Sequence, residues 1–294
     1  MQIKTIKKTI INKLTEWLNS IDDEFLRTKV KNNLLLSGGS ITSMFLNLDI
    51  NDYDIYIKDM DVLLELTKYY TKNFDDKIKI LDGRLKEKYI DELREDAHSA
   101  YEIAVKNLSY DQIKLFFIEK NGGMLVEIEN KDKKYQPAYF SPNAISLTDN
   151  IQIVIRFHGN NEDIHKTFDF IHATNYFTFE EGLVTNIKAL ESILTKQLFY
   201  QGSLYPLTSI IRMKKFIKRQ WNINAGEILK IMFQISLLDL KDPDVLAEQL
   251  IGVDVAYFDK LIEILRGVEP EKLTSTYLNT IIDKVFNEYD DNEE

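Results

Sequence analysis

Ile3, Ile6, Ile10, Ile11, Leu14, Trp17 and Leu18 recur at helical spacing, so the chain is predicted to open on an amphipathic helix. Leu34-Leu35-Leu36 is a short apolar run ending in Ser37-Gly38-Gly39-Ser40, and Ile41 to Leu46 then reads as a helix. Tyr53, Ile55 and Ile57 alternate with Asp52, Asp54 and Tyr56, which is the period of a strand. Residues 60–112 are predicted to be mostly helical and highly charged. Short strands are expected at Ile113–Ile118, Met124–Ile128, Ala144–Leu147, Ile151–Phe157 and Thr167–His172, with Gly122-Gly123 and Ser141-Pro142-Asn143 as turns between them. Beyond Gly182 the pattern is helical, broken near Gly202, Gly226, Pro243, Gly252 and Pro270. The expected division is an α/β part over 1–178, with a helical insertion around 60–112, and a helical part over 179–294 ending in a frayed acidic tail.

Composition narrows the chemistry. The chain holds 294 residues, of which 44% are hydrophobic and 29% charged, enough to fold around a sizeable core. It has no cysteine, which excludes disulfides, thiolate zinc sites and cysteine nucleophiles and is compatible with a reducing cytosol. Its four histidines form no HxH or HxxxH pair, so a metal here would be held by oxygen, which favours Mg²⁺ or Mn²⁺. The first residues carry no apolar signal segment, and no run reaches the roughly 20 apolar residues of a membrane span. The expected location is therefore the cytoplasm. The net charge of −10 argues against a surface coated in nucleic acid but leaves room for a local basic strip.

The stretch SGGSITSMFLNLDINDYD carries the main signal. An Asp-x-Asp on one strand puts both carboxylates on one face. Facing a cleft together, Asp52 and Asp54 make a hard-oxygen site for Mg²⁺. Gly38, Gly39 and Ser40, between a strand and a helix, suit a triphosphate, because glycine lets the backbone approach and helix amides face the anion. Glu127, Glu129 and Asp169 are candidates for a third carboxylate. Asp169 is preferred, since large apolar neighbours surround it and a buried acid is seldom left without a cation. Together these pieces point to metal-assisted phosphoryl or nucleotidyl transfer. Arg212, Lys214, Lys215, Lys218 and Arg219 give one helix a basic face that either meets a triphosphate or acceptor backbone or is simply solvated.

GGSITSMFLNLDINDYDI resembles the glycine-rich and double-aspartate motif of the DNA polymerase β-type nucleotidyltransferase superfamily, most of all that of CCA-adding enzymes and bacterial poly(A) polymerases. Gly38, Gly39, Asp52 and Asp54 match that motif without a gap. FDFIHATNY resembles the family's second motif and puts Asp169 on its third carboxylate, and SIIRMKKFIKRQWNI resembles a following helix, with Arg212, Phe216 and Trp221 near matching positions. The whole also resembles nucleotidyltransferase-like proteins of tailed bacteriophages. The resemblance implies an α/β (α+β) nucleotidyltransferase head with a mixed sheet, followed by an all-helical neck and body. It implies Asp52, Asp54 and Asp169 as catalytic, Mg²⁺- or Mn²⁺-binding residues, and Gly38, Gly39, Ser40, Arg212 and Lys215 as nucleotide-binding residues.

The implied reaction moves an NMP from an NTP to a hydroxyl, in the first place an RNA 3′ end. The chain departs from the family at Thr42 and Phe168, where arginines stand, at Ser43, where an aspartate stands, and at 205–209, which lack the base-selecting EDxxR. The missing EDxxR and the acidity favour a protein or small-molecule acceptor, whereas the changes at Thr42 and Phe168 favour an inactive descendant. A toxin acting on tRNA by the same chemistry, or an inactive binding descendant of the fold, completes the alternatives.

Overall fold

The computed structural model of the chain describes residues 2–93, 99–119, 123–128, 130, 132–250 and 256–290. Gly122, Glu129, Gly252 and the tail beyond residue 290 lie outside the described residues. Two compact units are present: residues 1–166 with 172–195, and residues 167–171 with 196–294. The expected boundary at 178 falls at the end of a strand within the first unit.

The first unit opens with α1 (Ile3–Asn19) and α2 (Glu24–Asn33), followed by β1 (Leu34–Ser37), α3 (Gly39–Leu46), β2 (Tyr53–Ile57) and α4 (Met60–Thr71). It continues through β3 (Ile78–Asp82), α5 (Lys86–Leu93), α6 (Ser99–Lys106), β4 (Ile113–Phe117), β5 (Met124–Leu125), β6 (Pro137–Phe140), β7 (Ala144–Leu147) and β8 (Ile151–His158). It closes with α7 (Asn161–His165), β9 (Tyr176–Thr178), β10 (Gly182–Val184) and α8 (Ile187–Thr195). Eight strands form one mixed sheet in the order β10-β9-β1-β2-β8-β7-β6-β5, and β3 and β4 form a separate antiparallel pair. Within the large sheet β2 and β8 run parallel, and the other neighbours are antiparallel.

The periodicity of α1 puts Ile6, Ile10, Leu14 and Trp17 on its buried face. They join Leu26 and Val30 of α2, Ile41 and Met44 of α3, and Leu63 and Leu66 of α4 in one cluster. From the sheet, Leu34, Leu36, Ile55, Ile57, Ile153 and Ile155 point into the same cluster. Each such side chain contributes about 1.5–3 kcal/mol by leaving water. The buried indole of Trp17 donates from Nε1 to the Tyr70 hydroxyl at 3.0 Å, which satisfies the indole N–H inside the core. Strand alternation sends Leu35, Ser37, Asp54 and Tyr56 to the other face, and the Leu35–Tyr56 register pair confirms that they share it.

Several elements differ from the pattern reading. Within the stretch expected to be helical, Ile78-Lys79-Ile80-Leu81-Asp82 is a strand, because Ile78 and Leu81 bury against the 113–117 strand. The strand expected at 124–128 stops at Leu125, although the Val126 N–H still donates to Ala138 O at 2.9 Å. Asp52 lies just before β2, whose first ladder partner is Tyr53 opposite Ile151. The stretch 167–172 is not a strand. Phe170 makes a single bridge to Tyr200, and Ile171–Ala173 is a 3₁₀ turn, since the partner segment offers only one residue of pairing.

The second unit is helical apart from the two-residue parallel pair β11 (Gln197–Leu198) and β12 (Asn222–Ile223). Its helices are α9 (Pro206–Lys218), α10 (Ala225–Ile235), α11 (Pro243–Gln249), α12 (Ala256–Arg266) and α13 (Ser275–Asp290). Leu246, Leu250, Leu261, Ile262, Leu265, Leu273 and Ile281 form its core, with Leu207 and Ile211 of α9 against them. The Thr208 hydroxyl donates to the Gln249 carbonyl and ties α9 to the end of α11. Among the described residues no helix is long and apolar enough to cross a membrane.

The core assignment predicts unequal costs for two aliphatic truncations. Ile55→Ala, at a position 0% exposed, should lose about 2–5 kcal/mol. Leu125→Ala, at a position 83% exposed, should stay within about 0.5 kcal/mol of the parent. Urea unfolding midpoints at constant slope check both.

Candidate active site

β1 ends at Ser37, and the chain turns directly into α3 through Gly38. Gly38 has φ +101°, a conformation that L side chains rarely adopt. A Cβ built on Gly38 would stand 3.0 Å from Asp54 Oδ2, so the turn and the strand carboxylate are in direct apposition. Gly38 is the N-cap of α3 and offers no side-chain cap, leaving backbone N–H groups of the first turn to find other partners. The positive end of α3 favours negative charge beside it, and Asp54 supplies that charge. Ser40, in the first turn, is buried, and its Oγ has no hydrogen-bond partner among the described residues.

The turn is braced from the segment 172–175. The Gly38 N–H donates to Ala173 O at 3.1 Å, and the Thr42 hydroxyl donates to His172 O at 3.0 Å. Thr42 therefore anchors α3 to the backbone at a position where the resembling family carries arginine. Ser37 Oγ lies 3.0 Å from His165 Nε2, 3.0 Å from Asn175 O and 3.2 Å from Ala173 O. One hydroxyl proton cannot serve two carbonyls and a ring nitrogen. The consistent arrangement is a neutral His165 donating from Nε2 to Ser37 Oγ, while the hydroxyl donates to a carbonyl. Burial supports the neutral ring, pushing the His165 pKa down to about 4. Asn175, 1% exposed, completes the brace by accepting from the Asn186 N–H at 2.9 Å.

Asp54 is half-buried on β2, while Asp52 is exposed at the strand's entrance. Desolvation nevertheless raises the Asp52 carboxyl above its ordinary range. Glu127 is exposed in the chain following β5.

Asp169 belongs to the second unit, where it is 8% exposed. Its Oδ2 accepts from Arg212 Nη1 at 2.9 Å and its Oδ1 from the Phe170 N–H at 3.0 Å. Phe170 packs on Tyr200 and Phe216, and Phe216 on Trp221, so the aromatic positions of the SIIRMKKFIKRQWNI segment serve the packing around this ion pair. Two residues expected to handle nucleotide and metal thus neutralise each other. Lys215 is exposed on α9 with Lys214, Lys218 and Arg219. Among the described residues no group of three or more His, Asp or Glu side chains is arranged to hold a metal ion.

Of the expected site residues Gly38, Gly39, Ser40, Asp52, Asp54, Asp169, Arg212 and Lys215, the structure brings Gly38 against Asp54 and pairs Asp169 with Arg212. The Ser37–His165–Asn175 brace and the anchoring bond of Thr42 were not expected. Their partners lie more than 120 residues away along the chain, and no local spacing signals them.

The molecule is thus a mixed-sheet α/β protein with a strand–glycine–helix turn set against a strand carboxylate, joined to a helical unit. A family model described as Gabija anti-defense 2 family protein matches residues 8–196, more than half of the chain, and the chain belongs to that family. A curated relative, Gabija anti-defense 2 of Bacillus phage SPbetaL7, is 23% identical over 276 residues, covering 93% of this chain and 53% of its own.

Among solved structures, the Thermotoga maritima CCA-adding enzyme complexed with tRNA aligns with 88% of this chain and 54% of its own, at 12% identity and TM-score 0.39. The Bacillus stearothermophilus CCA-adding enzyme in complex with CTP aligns with 85% and 51%, at 10% identity and TM-score 0.40. At such scores the likeness does not fix which residue matches which. The chain spans about half the length of the relatives it matches.

Two measurements test the turn and its brace. Gly38→Ala forces a side chain into a left-handed position against Asp54, and should cost about 1–3 kcal/mol in thermal or urea unfolding. The His165 pKa is about 4 folded against an ordinary 6.5, so its contribution is complete above pH 6.5 and declines as pH falls toward 4. The expected slope is at most about 1.4 kcal/mol per pH unit in that window. His165→Gln, which keeps a donor but does not titrate, should remove that slope and leave the slope from the carboxylates.

Proposed function

We propose that the chain is a nucleotidyltransferase that uses a divalent cation and an NTP. The observation that carries this reading is the apposition of the Gly38 turn, the uncapped start of α3 and the Asp54 carboxylate. A phosphate at that helix terminus and the Asp54 carboxylate repel each other, and a cation between them removes the conflict. The donor set fits Mg²⁺ carried in with a triphosphate. Mg²⁺ keeps several waters and takes one or two protein carboxylates plus phosphate oxygens, which Asp54 and Asp52 can provide. The orphaned Ser40 hydroxyl supports a polar ligand in the same turn.

In this reading Gly38 lets the backbone approach the phosphates, and the first-turn amides of α3 hold the β and γ groups. Asp54, fixed on β2, orients the reacting phosphate, and Asp52 at the strand's entrance completes the cation-binding pair. When bound, the cation supplies charge neutralisation and makes an attacking hydroxyl more acidic. Ser37, Thr42 and Asn175 keep the turn rigid, so that alignment supplies much of the rate.

The acceptor proposed first is an RNA 3′ hydroxyl, on the strength of the motif resemblance and the exposed Lys214, Lys215, Lys218 and Arg219 of α9. The family name marks a role against a defense called Gabija, and the phage relative supports a phage origin and action in the host cytoplasm. We extend both to this chain. A second reading is a nucleotide-binding module that transfers nothing. It is favoured by the Asp169–Arg212 pair and by the absence, among the described residues, of a three-ligand metal cluster.

Incubation with each α-labelled NTP, Mg²⁺ and total RNA should put label on RNA. Asp54→Asn should lower the yield by at least about 100-fold while keeping the parent's melting temperature. Label on protein instead would move the acceptor to a protein hydroxyl. An NTP-dependent rise in melting temperature with no transfer to any acceptor would establish the second reading, and no rise with any NTP would sink both.

A further inference from the structure

The large sheet ends at β5, which pairs with β6 on one side and, among the described residues, with no strand on the other. Met124 pairs with Phe140 and Leu125 with Tyr139, and the Val126 N–H continues the ladder to Ala138 O at 2.9 Å. Antiparallel alternation then turns the N–H and C=O groups of Val126 toward β6 and those of Leu125 and Glu127 away from it. Among the described residues nothing hydrogen-bonds to these outward groups. Met124 and Val126 pack their side chains on the core cluster, whereas Leu125, on the opposite face, is 83% exposed.

A cavity of about 610 Å³ opens along this edge. The run 124–128 forms one wall, and Tyr69 and Phe74, at the end of α4, stand on the other. The size is that of a ligand site, roughly 300–1,000 Å³. Four lysines line it, Lys72, Lys77, Lys133 and Lys134, against two acids, Asp22 and Glu127. Lys134 is taken by Glu16 at 2.8 Å, and Lys72 lies 4.9 Å over the Tyr69 ring. Lys77 and Lys133 have no carboxylate partner among the described residues. On a chain of net charge −10, unpaired ammonium groups at one cavity favour an anionic occupant. The cavity lies on the core side of the sheet, opposite the face of Asp54, and β8, β7 and β6 separate β5 from β2.

We propose that this edge captures an extended, acidic peptide segment of a partner protein, which adds a strand to the sheet outside β5. The main chain selects the occupant. N–H and C=O groups repeating at strand spacing are matched by another strand, and not by a lipid surface or a sugar–phosphate backbone, which carry no N–H donors in that register. Alternate side chains of the added strand point to the α4 side and enter the cavity beside Tyr69, Phe74, Met124 and Val126, so those side chains are apolar. An acidic residue flanking them meets Lys77 and Lys133.

Selection of random short peptides displayed on phage, against the immobilised full chain, should enrich sequences in which apolar residues alternate beside an aspartate or glutamate. An enriched peptide, made synthetically with a fluorophore, gives the dissociation constant by anisotropy. Methylating its alternate backbone nitrogens in one register should weaken binding at least about 10-fold, and in the other leave it within about threefold, because one set of N–H groups faces the edge. Leu125→Pro, which removes an outward N–H, should weaken it about 10-fold, whereas Leu125→Ala should not change it. The methylated peptides make the same test on the unaltered chain. Lys77→Glu with Lys133→Glu should weaken binding at least about 10-fold at an unchanged melting temperature. Asp54→Asn should bind as the parent does, which keeps this site separate from the Gly38 turn. Enrichment of no peptide, or of basic or non-alternating ones, overturns the proposal. Equal loss from both methylation registers, or indifference to the charge reversal, overturns it as well.

Discussion

The arrangement of the first unit depends on one steric fact: no Cβ stands between Gly38 and Asp54. The four-residue strand β1 has to deliver the chain into α3 within a single residue, and the direction of that turn needs positive φ. Any side chain there meets the Asp54 carboxylate. With glycine in place, a helix terminus and a strand acid share one small volume. The cost is a buried polar surround. The fold meets it with Ser37, Thr42, His165 and Asn175, each hydrogen-bonded to backbone or to one another across more than a hundred residues of sequence.

Those long-range bonds mark the boundary of what was legible in the sequence. Helices α1 and α3 and strands β1, β2, β7 and β8 were readable because their apolar residues repeat at 3.6 or 2 along the local chain. The Gly38–Asp54 apposition was legible as a motif, since both ends lie on adjacent strands joined by one short helix. β3 was not, because Lys79 and Asp82 dilute its apolar alternation within a charged stretch, and its pairing with β4 is set by residues more than thirty positions on. Asp169 was expected as a buried, metal-binding acid; it is 8% exposed and accepts a hydrogen bond from Arg212, 43 residues away.

The net charge is −10, whereas Lys214, Lys215 and Lys218 concentrate positive charge on α9. In the second unit Asp169, 8% exposed, pairs with the half-exposed Arg212, and Phe170 beside the acid packs on Tyr200 and Phe216. Such a pair adds little net stability but penalises any packing that separates it, and so fixes the 167–171 segment onto α9.

The central claim is that a divalent cation, bound with a nucleoside triphosphate, sits between the Gly38 turn and Asp54. Replacing Mg²⁺ by Fe²⁺ and starting hydroxyl-radical cleavage with ascorbate and peroxide reads the ion's position from the backbone cuts beside it. The account predicts NTP-dependent cuts at 37–40 and 52–54, absent from Asp54→Asn. Cuts confined to other segments, or a pattern indifferent to NTP and to that substitution, would contradict it.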